Sequence, residues 1–314
     1  MKEFLPFLLW TLLSPFPTIQ EKFNIYFLSI GAAHYEHDSK KFSEKNFIPY
    51  DDLPEANFSA TVMAKVLQKY ATAKGITLQS TDKNMLTKKR ILSAVDSLGR
   101  LLAKAPSKNA LLVVYYCGHG ISENLGWNQF LIPGNYTKIA GTKKIDDLTN
   151  DLIYLGDITD KLDKLNKRYV VLIDCCRKEE VDNSLPEARL RYFFDERKLE
   201  NLRSMVAVVK FINEYHSINP VVFSIAPGEL APTVDLPDIA IVKSLNVQDV
   251  FQVGPVCRRL LLTLQSATRG PLSLSDIIKG LIDPALDRDQ SPISVSFYRK
   301  EEDTLANSHL FMGF

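Results

Sequence analysis

Apolar runs rich in β-branched residues alternate along the chain with stretches whose apolar residues recur at helical spacing. Strands separated by amphipathic helices are typical of a parallel sheet with helices on both faces. We therefore predict an α/β fold with a mostly parallel sheet of about six strands, flanked by helices in three layers. The predicted strands are 24–31, 76–80, 109–120, 168–174, 219–227 and 293–299.

Two residues suggest where predicted helices begin and end. Thr87 precedes the amphipathic stretch 88–105 and is a good N-cap residue, because its hydroxyl can accept a hydrogen bond from the first turn. The earlier stretch 52–75 ends in Gly75, a residue that often closes helices. We expect a helix on each of these stretches, with these two residues at its boundaries.

Composition limits the number of domains and the kinds of partner. A hydrophobic share of 46% in 314 residues is enough for one large core, and we expect a single domain over 22–314. Within it, the charged stretch 178–203 is expected to be an exposed loop. The apolar segment 1–21 is too short to span a bilayer comfortably, so no membrane association is expected. A net charge of +1 argues against a protein that binds nucleic acid through phosphate neutralisation.

The four cysteines show no spacing typical of a disulfide framework or a zinc site. Cys117 and Cys257 are interpreted as packing residues. This usage is typical of a reducing compartment, so a cytoplasmic location is expected. His34 and His37 fall in a polar loop without a metal-binding motif. We predict no metal site and no cofactor.

Reactive side chains follow two of the predicted strands. His119 stands between two glycines after one strand, and the pair Cys175–Cys176 follows Asp174 at the end of another. Sites in open α/β sheets lie at the carboxyl ends of strands, so imidazole and thiol would meet if the strands are neighbours. A cysteine with a histidine base is a sufficient nucleophilic pair. The amide of Gly120 is well placed to stabilise an oxyanion. Taken alone, the cysteine would more simply be structural, and its pairing with His119 reverses this interpretation. A purely structural role for His119 is disfavoured by its position between two glycines at a strand end.

Alternation along the strand separates the two adjacent cysteines. Leu172, Asp174 and Cys176 share one face, whereas Cys175 continues the opposite, core-packing row. Cys176 is therefore the predicted nucleophile, and Cys175 a buried hydrophobic residue. Asp174 shares the face of the nucleophile. We expect its carboxylate to attract a basic side chain of a substrate, although it could instead only cap the turn after its strand.

The segments "YYCGHG", "FLIPGN" and "VVLIDCCR" together resemble the caspases, metacaspases and paracaspases. The likeness continues in "YFLSIGAAHY", "PVVFSIAPGELA" and "QSPIS", so it extends along most of the chain. It implies a three-layer caspase-like fold and a cysteine endopeptidase, with Cys176 as the third residue of an Asp-x-Cys motif and His119 as acid and base. An aspartate at position 174, as in metacaspases and paracaspases, implies cleavage after arginine or lysine.

One departure from the family pattern concerns the first helix. Metacaspase-like members usually carry an aspartate there that shapes the basic pocket, but this chain has Ser59 at the corresponding place. Glu55, Asp51 and Asp52 are the candidates to compensate for the missing charge. The preference for a basic residue therefore depends mainly on Asp174.

Several alternatives remain open at this point. The same fold without activity would be a regulatory or scaffold module, and a different thiol hydrolase would need no carboxylate at Asp174. The resemblance also suggests self-processing in the charged stretch, which contains Arg189, Arg191, Arg197, Lys198 and Arg203. The acids Asp146, Asp147 and Asp151 lack an EF-hand arrangement, so no calcium site is predicted. The expected partner is a protein or peptide substrate, and the chain would act as a monomer or homodimer.

Overall fold

The computed structural model describes residues 24–37, 47–48, 50–71, 73–104, 110–123, 128–136, 138–139, 152–176, 218–224, 231–247, 252–266, 274–282, 294–299 and 310–312. The apolar segment 1–21, the charged stretch 178–203 and the acids at 146, 147 and 151 lie outside the described residues. The boundaries of the single domain stay a prediction.

The described residues form strands and helices in the alternating order that the sequence predicts. The strands are β1 (Asn24–Gly31), β2 (Phe47–Ile48), β3 (Lys74–Gln79), β4 (Ala110–Cys117), β5 (Gly120–Glu123), β6 (Asn128–Leu131), β7 (Lys138–Ile139), β8 (Ile153–Tyr154), β9 (Arg168–Asp174), β10 (Ile218–Phe223), β11 (Val234–Asp235), β12 (Gln252–Val253), β13 (Ser294–Arg299) and β14 (Leu310–Met312). The helices are α1 (Pro54–Ala71), α2 (Lys88–Lys104), α3 (Leu155–Asp163), α4 (Ala240–Ser244), α5 (Pro255–Ser266) and α6 (Leu274–Ile282).

The central sheet has the strand order β14-β13-β10-β9-β4-β1-β3. Its five strands from β10 to β3 are parallel, and β13 and β14 extend one edge in antiparallel pairing. The prediction of a mostly parallel α/β sheet is confirmed. The parallel part has five strands, one fewer than the predicted six, because the last predicted strand is the antiparallel β13. The three-residue β14 was not predicted, since so short a run shows no period.

Two clusters of buried apolar residues cover the two faces of the sheet. One contains Val113 and Tyr115 of β4 and packs against α1, α5 and α6. The other contains Val114 and Tyr116 and packs against α2 and α3. Successive residues of β4 therefore enter different clusters, as the two-residue period of a strand requires. The sheet is buried on both sides, which confirms the three-layer arrangement.

One of the two predicted helix boundaries is confirmed and the other is wrong. The hydroxyl of Thr87 accepts a hydrogen bond from the amide of Arg90 at 3.2 Å, which is N-cap geometry. Gly75 does not close a helix, because α1 ends at Ala71 and Gly75 lies in β3 opposite Phe27. A side chain at Gly75 would meet the backbone and ring of Phe27. The glycine thus permits a close approach between two strands.

Among the described helices, none is both long enough and apolar enough to cross a membrane. A small antiparallel sheet of β5, β6 and β8 stands beside the carboxyl end of β4. Its first strand begins at Gly120, directly after His119. The short connection holds the predicted site residues close to the end of the central sheet.

Candidate active site

The two strands that carry the predicted catalytic residues are neighbours. β4 and β9 pair in parallel, and their last residues, Cys117 and Asp174, lie side by side. The amide of Gly118 donates to the carbonyl of Asp174 at 3.2 Å, so the two chains stay together beyond the strands. His119 and Cys176 therefore leave the same edge of the sheet, as the spacing predicts.

Gly118 and Gly120 provide space on either side of the histidine. A Cβ on Gly118 would lie 2.7 Å from the Tyr116 hydroxyl and 2.9 Å from the Ala32 side chain. A Cβ on Gly120 would lie 2.9 Å from the carbonyl oxygen of Cys176 and would also meet the Cys175 sulfur. Any larger residue would push the histidine segment away from the end of β9.

Hydrogen bonds to its backbone and ring fix the orientation of His119. Its amide donates to the Tyr35 hydroxyl at 2.8 Å, and its carbonyl accepts from Tyr116 at 2.9 Å. The ring lies between two tyrosines, with centroid distances of 4.8 Å to Tyr35 and 5.0 Å to Tyr50. This packing leaves the imidazole few alternative rotamers.

The imidazole of His119 also makes a hydrogen bond that assigns its tautomer. Nε2 lies 2.9 Å from the backbone carbonyl oxygen of Asp51. A carbonyl oxygen only accepts, so Nε2 carries the hydrogen. In the neutral ring the lone pair is then on Nδ1. The contact to Asp51 therefore leaves Nδ1 as the nitrogen that can take a proton.

The two adjacent cysteines differ in their surroundings. Cys175 is 1% exposed and belongs to the buried cluster on the side of α2 and α3, which confirms its prediction as a core residue. Cys176 lies beyond the end of β9 and is partly exposed. The packing residues Cys117 and Cys257 are also buried, as predicted. Of the four thiols, the one accessible to a substrate is that of Cys176.

Gln129 of β6 holds the cysteine pair in place. Its buried amide nitrogen donates to the carbonyl of Cys176 at 3.2 Å and lies 3.4 Å from the Cys175 sulfur. The same nitrogen contacts the carbonyls of Ile121 and Phe130. The small sheet therefore supports the end of β9 through one side chain.

The amide of Gly120 points out of the small sheet. The amide of Ile132 donates to the carbonyl of His119 at 3.1 Å, which makes Gly120 and Leu131 a pair without mutual hydrogen bonds. In such a pair each N–H points away from the partner strand. The geometry is compatible with the predicted role of Gly120 as an oxyanion donor, a role that stays a prediction.

Asp174 is buried and holds the beginning of helix α5. Its side chain is 3% exposed, and its oxygens accept from the amides of Val256 at 2.9 Å and Cys257 at 3.2 Å. A third hydrogen bond of 2.7 Å comes from the Tyr115 hydroxyl. A carboxylate at a helix N-terminus also interacts favourably with the helix dipole. The carboxylate therefore caps a helix that is distant in sequence.

Burial decides the protonation equilibrium of Asp174. The loss of hydration raises the pKa of the carboxyl to about 6, while the hydrogen bonds from Tyr115, Val256 and Cys257 act in the opposite direction. At neutral pH the group is mostly a carboxylate, but one that is costly to keep charged.

Ser59 stands on the same side of the sheet as Asp174. Its hydroxyl accepts a hydrogen bond from the amide of Gly254 at 3.0 Å and donates to the carbonyl of Glu55 at 2.8 Å. A Cβ on Gly254 would collide with the Asp174 carboxylate. Ser59 and Asp174 thus hold consecutive parts of the segment 254–257. Ser59 is therefore a neutral anchor for this backbone segment.

Three contributors to the site could not be recognised in the sequence. The Asp51 carbonyl is a backbone group, which leaves no signal in the residue type. Tyr35 is distant in sequence and typical of any core. Gln129 gives a weak signal, because it is a polar residue just before the apolar run "FLIP".

His34 and His37 lie in a loop, as predicted, but both contact Asp52, at 3.1 and 3.0 Å.

The sequence from residue 33 to residue 224 is similar to a known protein family. The family model for the caspase domain matches residues 33–224, which is more than half of the chain and includes both predicted catalytic residues. No curated protein matches the sequence.

Proposed function

Because the chain belongs to the caspase domain family, we propose that it is a cysteine endopeptidase that cleaves proteins or peptides with Cys176 and His119. One observation carries the proposal. A histidine with an assigned tautomer and a partly exposed cysteine follow adjacent parallel strands, at the edge where α/β sheets place their sites. Members of this family are generally cysteine peptidases.

The proposed reaction divides peptide hydrolysis into two steps. His119 takes the proton of the Cys176 thiol, the resulting thiolate attacks the scissile carbonyl carbon, and the negative oxygen accepts hydrogen bonds from the amides of Gly120 and Cys176. The C–N bond breaks when His119 gives a proton to the leaving amine. A water molecule then attacks the thioester, His119 takes its proton, and the free thiol and carboxylic acid are released.

A basic residue before the cleaved bond is the proposed specificity, and Asp174 is its basis. Burial raises the pKa of this carboxyl, although Tyr115, Val256 and Cys257 donate hydrogen bonds to it. A guanidinium or ammonium group from a substrate would favour the charged form and offset the cost of burial. Its existing bonds to the amides of Val256 and Cys257 also give Asp174 a structural role.

Substitution of each cysteine in turn tests the proposed nucleophile. We expect Cys176→Ala to abolish both cleavage of an arginine-terminated fluorogenic peptide and labelling by a thiol-reactive probe. Cys175→Ala is the matched control, because the neighbouring sulfur is buried and should keep labelling and turnover. His119→Ala should lower turnover by about 100-fold or more. Circular dichroism verifies that each variant is folded.

Two results would contradict the proposal. Cleavage by Cys176→Ala at the wild-type rate would exclude it as the nucleophile. A folded wild-type protein that cuts no peptide and whose Cys176 reacts with no probe would instead indicate a regulatory or scaffold module.

A comparison of substrates separates the two roles of Asp174. We expect kcat/KM to be higher for arginine and lysine peptides than for a leucine peptide. Asp174→Asn should reduce this preference if the carboxylate orients the substrate. If Asp174 acts only as a structural anchor, the variant lowers all three values by the same factor.

Self-processing and location are further parts of the proposal. The basic residues of 178–203 are the proposed cleavage sites, and mass spectrometry after prolonged incubation would detect the fragments. An intact chain in an active preparation would contradict this.

All four cysteines lie among the described residues and none forms a disulfide, which supports the proposed cytoplasmic location.

A further inference from the structure

Three ligand-type side chains converge on the loop after β1, outside the proposed catalytic residues. His34 Nδ1 lies 3.1 Å from one oxygen of Asp52 and 2.8 Å from one oxygen of Asp82. One nitrogen and one oxygen from each carboxylate all lie within 4.8 Å of one another. They come from three separate segments of the chain. No motif or spacing in the sequence links the three residues.

A bound divalent cation explains the arrangement of these three side chains better than a single shared hydrogen does. One hydrogen on His34 Nδ1 cannot make two well-aligned bonds to both carboxylates, and the two carboxylates repel each other. In a tetrahedral zinc site, bonds of about 2.0–2.1 Å place ligand atoms roughly 3.3 Å apart. The separations of 2.8 and 3.1 Å need only small side-chain movements to reach that value.

Hydrogen bonds orient Asp52 toward His34. The other oxygen of Asp52 accepts from the amide of Tyr35 at 2.9 Å and lies 3.0 Å from His37 Nε2. Such contacts to a ligand resemble the outer shell of metal sites.

The backbone around the three side chains is also held in position. Ser80 Oγ accepts from the amides of Ala33 at 2.6 Å and His34 at 2.9 Å. Asp82 lies in a tight turn whose ends, Thr81 and Asn84, are hydrogen-bonded to each other. The loop that carries His34 and the turn that carries Asp82 are thus connected through Ser80.

We propose that His34, Asp52 and Asp82 bind a divalent transition-metal ion of the zinc class, with water completing its coordination. Imidazole and carboxylate ligands suit zinc and similar ions. His37 acts on the ion through Asp52 and does not bind it. The proposal does not depend on the peptidase activity. Asp52 follows Asp51, whose carbonyl holds His119, so the ion would stabilise the segment that orients the catalytic ring.

Zinc titration of the Cys176→Ala protein, followed by calorimetry, tests the site without a competing catalytic thiol. We expect one equivalent of Zn²⁺ to bind, and Co²⁺ to give visible absorption bands typical of tetrahedral coordination. Asp82→Asn should weaken binding by more than about tenfold, and His37→Ala by about tenfold. The control is Asp238→Asn, because the side chains of Asp82 and Asp238 are 84% and 83% exposed.

Each outcome bears on the proposal. Equal zinc affinity in the Asp82→Asn and Asp238→Asn proteins would overturn it, and so would the absence of saturable binding in the Cys176→Ala protein. Because the Asp82 side chain is exposed, its substitution should leave the fold intact, and circular dichroism confirms this. A selective loss of zinc binding in Asp82→Asn would support the site even if no peptidase activity were found.

Discussion

The buried carboxylate of Asp174 makes the stability of the protein depend on pH in an unusual direction. Its pKa is about 6 in the folded protein, against an ordinary value of 3.8, because burial disfavours the charge. The folded state therefore binds this proton more tightly than the unfolded state, so the contribution of Asp174 to stability is largest below pH 3.8. It falls as the pH rises and levels off above about 6. At about 1.4 kcal/mol per pH unit, the total loss is about 3 kcal/mol.

Asp174→Asn should remove this dependence. The amide is nearly the same size, its oxygen can still accept from Val256, and the rotatable Tyr115 hydroxyl can accept from the new NH₂ group. The Cys257 amide loses its acceptor, which lowers stability by the same amount at every pH and leaves the slope as the readout. Urea unfolding at several pH values between 4 and 7 gives the free energy of unfolding of both proteins. We expect the variant to gain about 2 kcal/mol relative to the wild type over this range.

The control is Asp96→Asn, because Asp96 lies on the exposed side of α2 and pairs with Lys161 at the surface. This variant should follow the pH dependence of the wild type. Parallel curves for the wild type and Asp174→Asn would refute the reasoning, since they would show that burial of Asp174 does not disfavour its charge.

Three further substitutions test the contacts around the site and one helix end. Gly254→Ala places a Cβ against the Asp174 carboxylate and should lower the free energy of unfolding by about 1–3 kcal/mol; an unchanged urea midpoint would contradict this. Tyr35→Phe leaves the amide of His119 without its hydroxyl acceptor and should cost about 1–3 kcal/mol in the same assay, with a shift of that amide in NMR spectra. Thr87→Ala removes an N-cap and should cost about 1 kcal/mol, whereas Thr87→Ser should cost little.

The sequence was sufficient to predict the order of the main elements and the edge of the sheet that carries the site. Apolar runs such as β4 and β9 are long enough to show their period, and chain order predicts which ends meet. The separation of Cys175 from Cys176 followed from strand alternation and agrees with the burial of Cys175. These features are local, so residue types reveal them.

The surroundings of Asp174 were harder to predict because its partners are distant in the chain. Alternation placed it correctly on the face of Leu172 but did not reveal that the amides of Val256 and Cys257 occupy its oxygens. The Asp51 carbonyl behind His119 was missed for a similar reason, since any residue type can supply a backbone oxygen. Gly75 was assigned to a helix end because glycine serves both helix ends and close strand contacts.

The pairing of β9 with β10 determines what a break in the chain between them would do. Both strands are inner members of one sheet, and Asp174 also joins the end of β9 to the start of α5. The residues before position 177 and those after position 217 therefore share one hydrophobic interior and one set of hydrogen bonds. A single nick in the intervening segment would give two polypeptides that stay associated without a covalent link and migrate as one particle until a denaturant separates them.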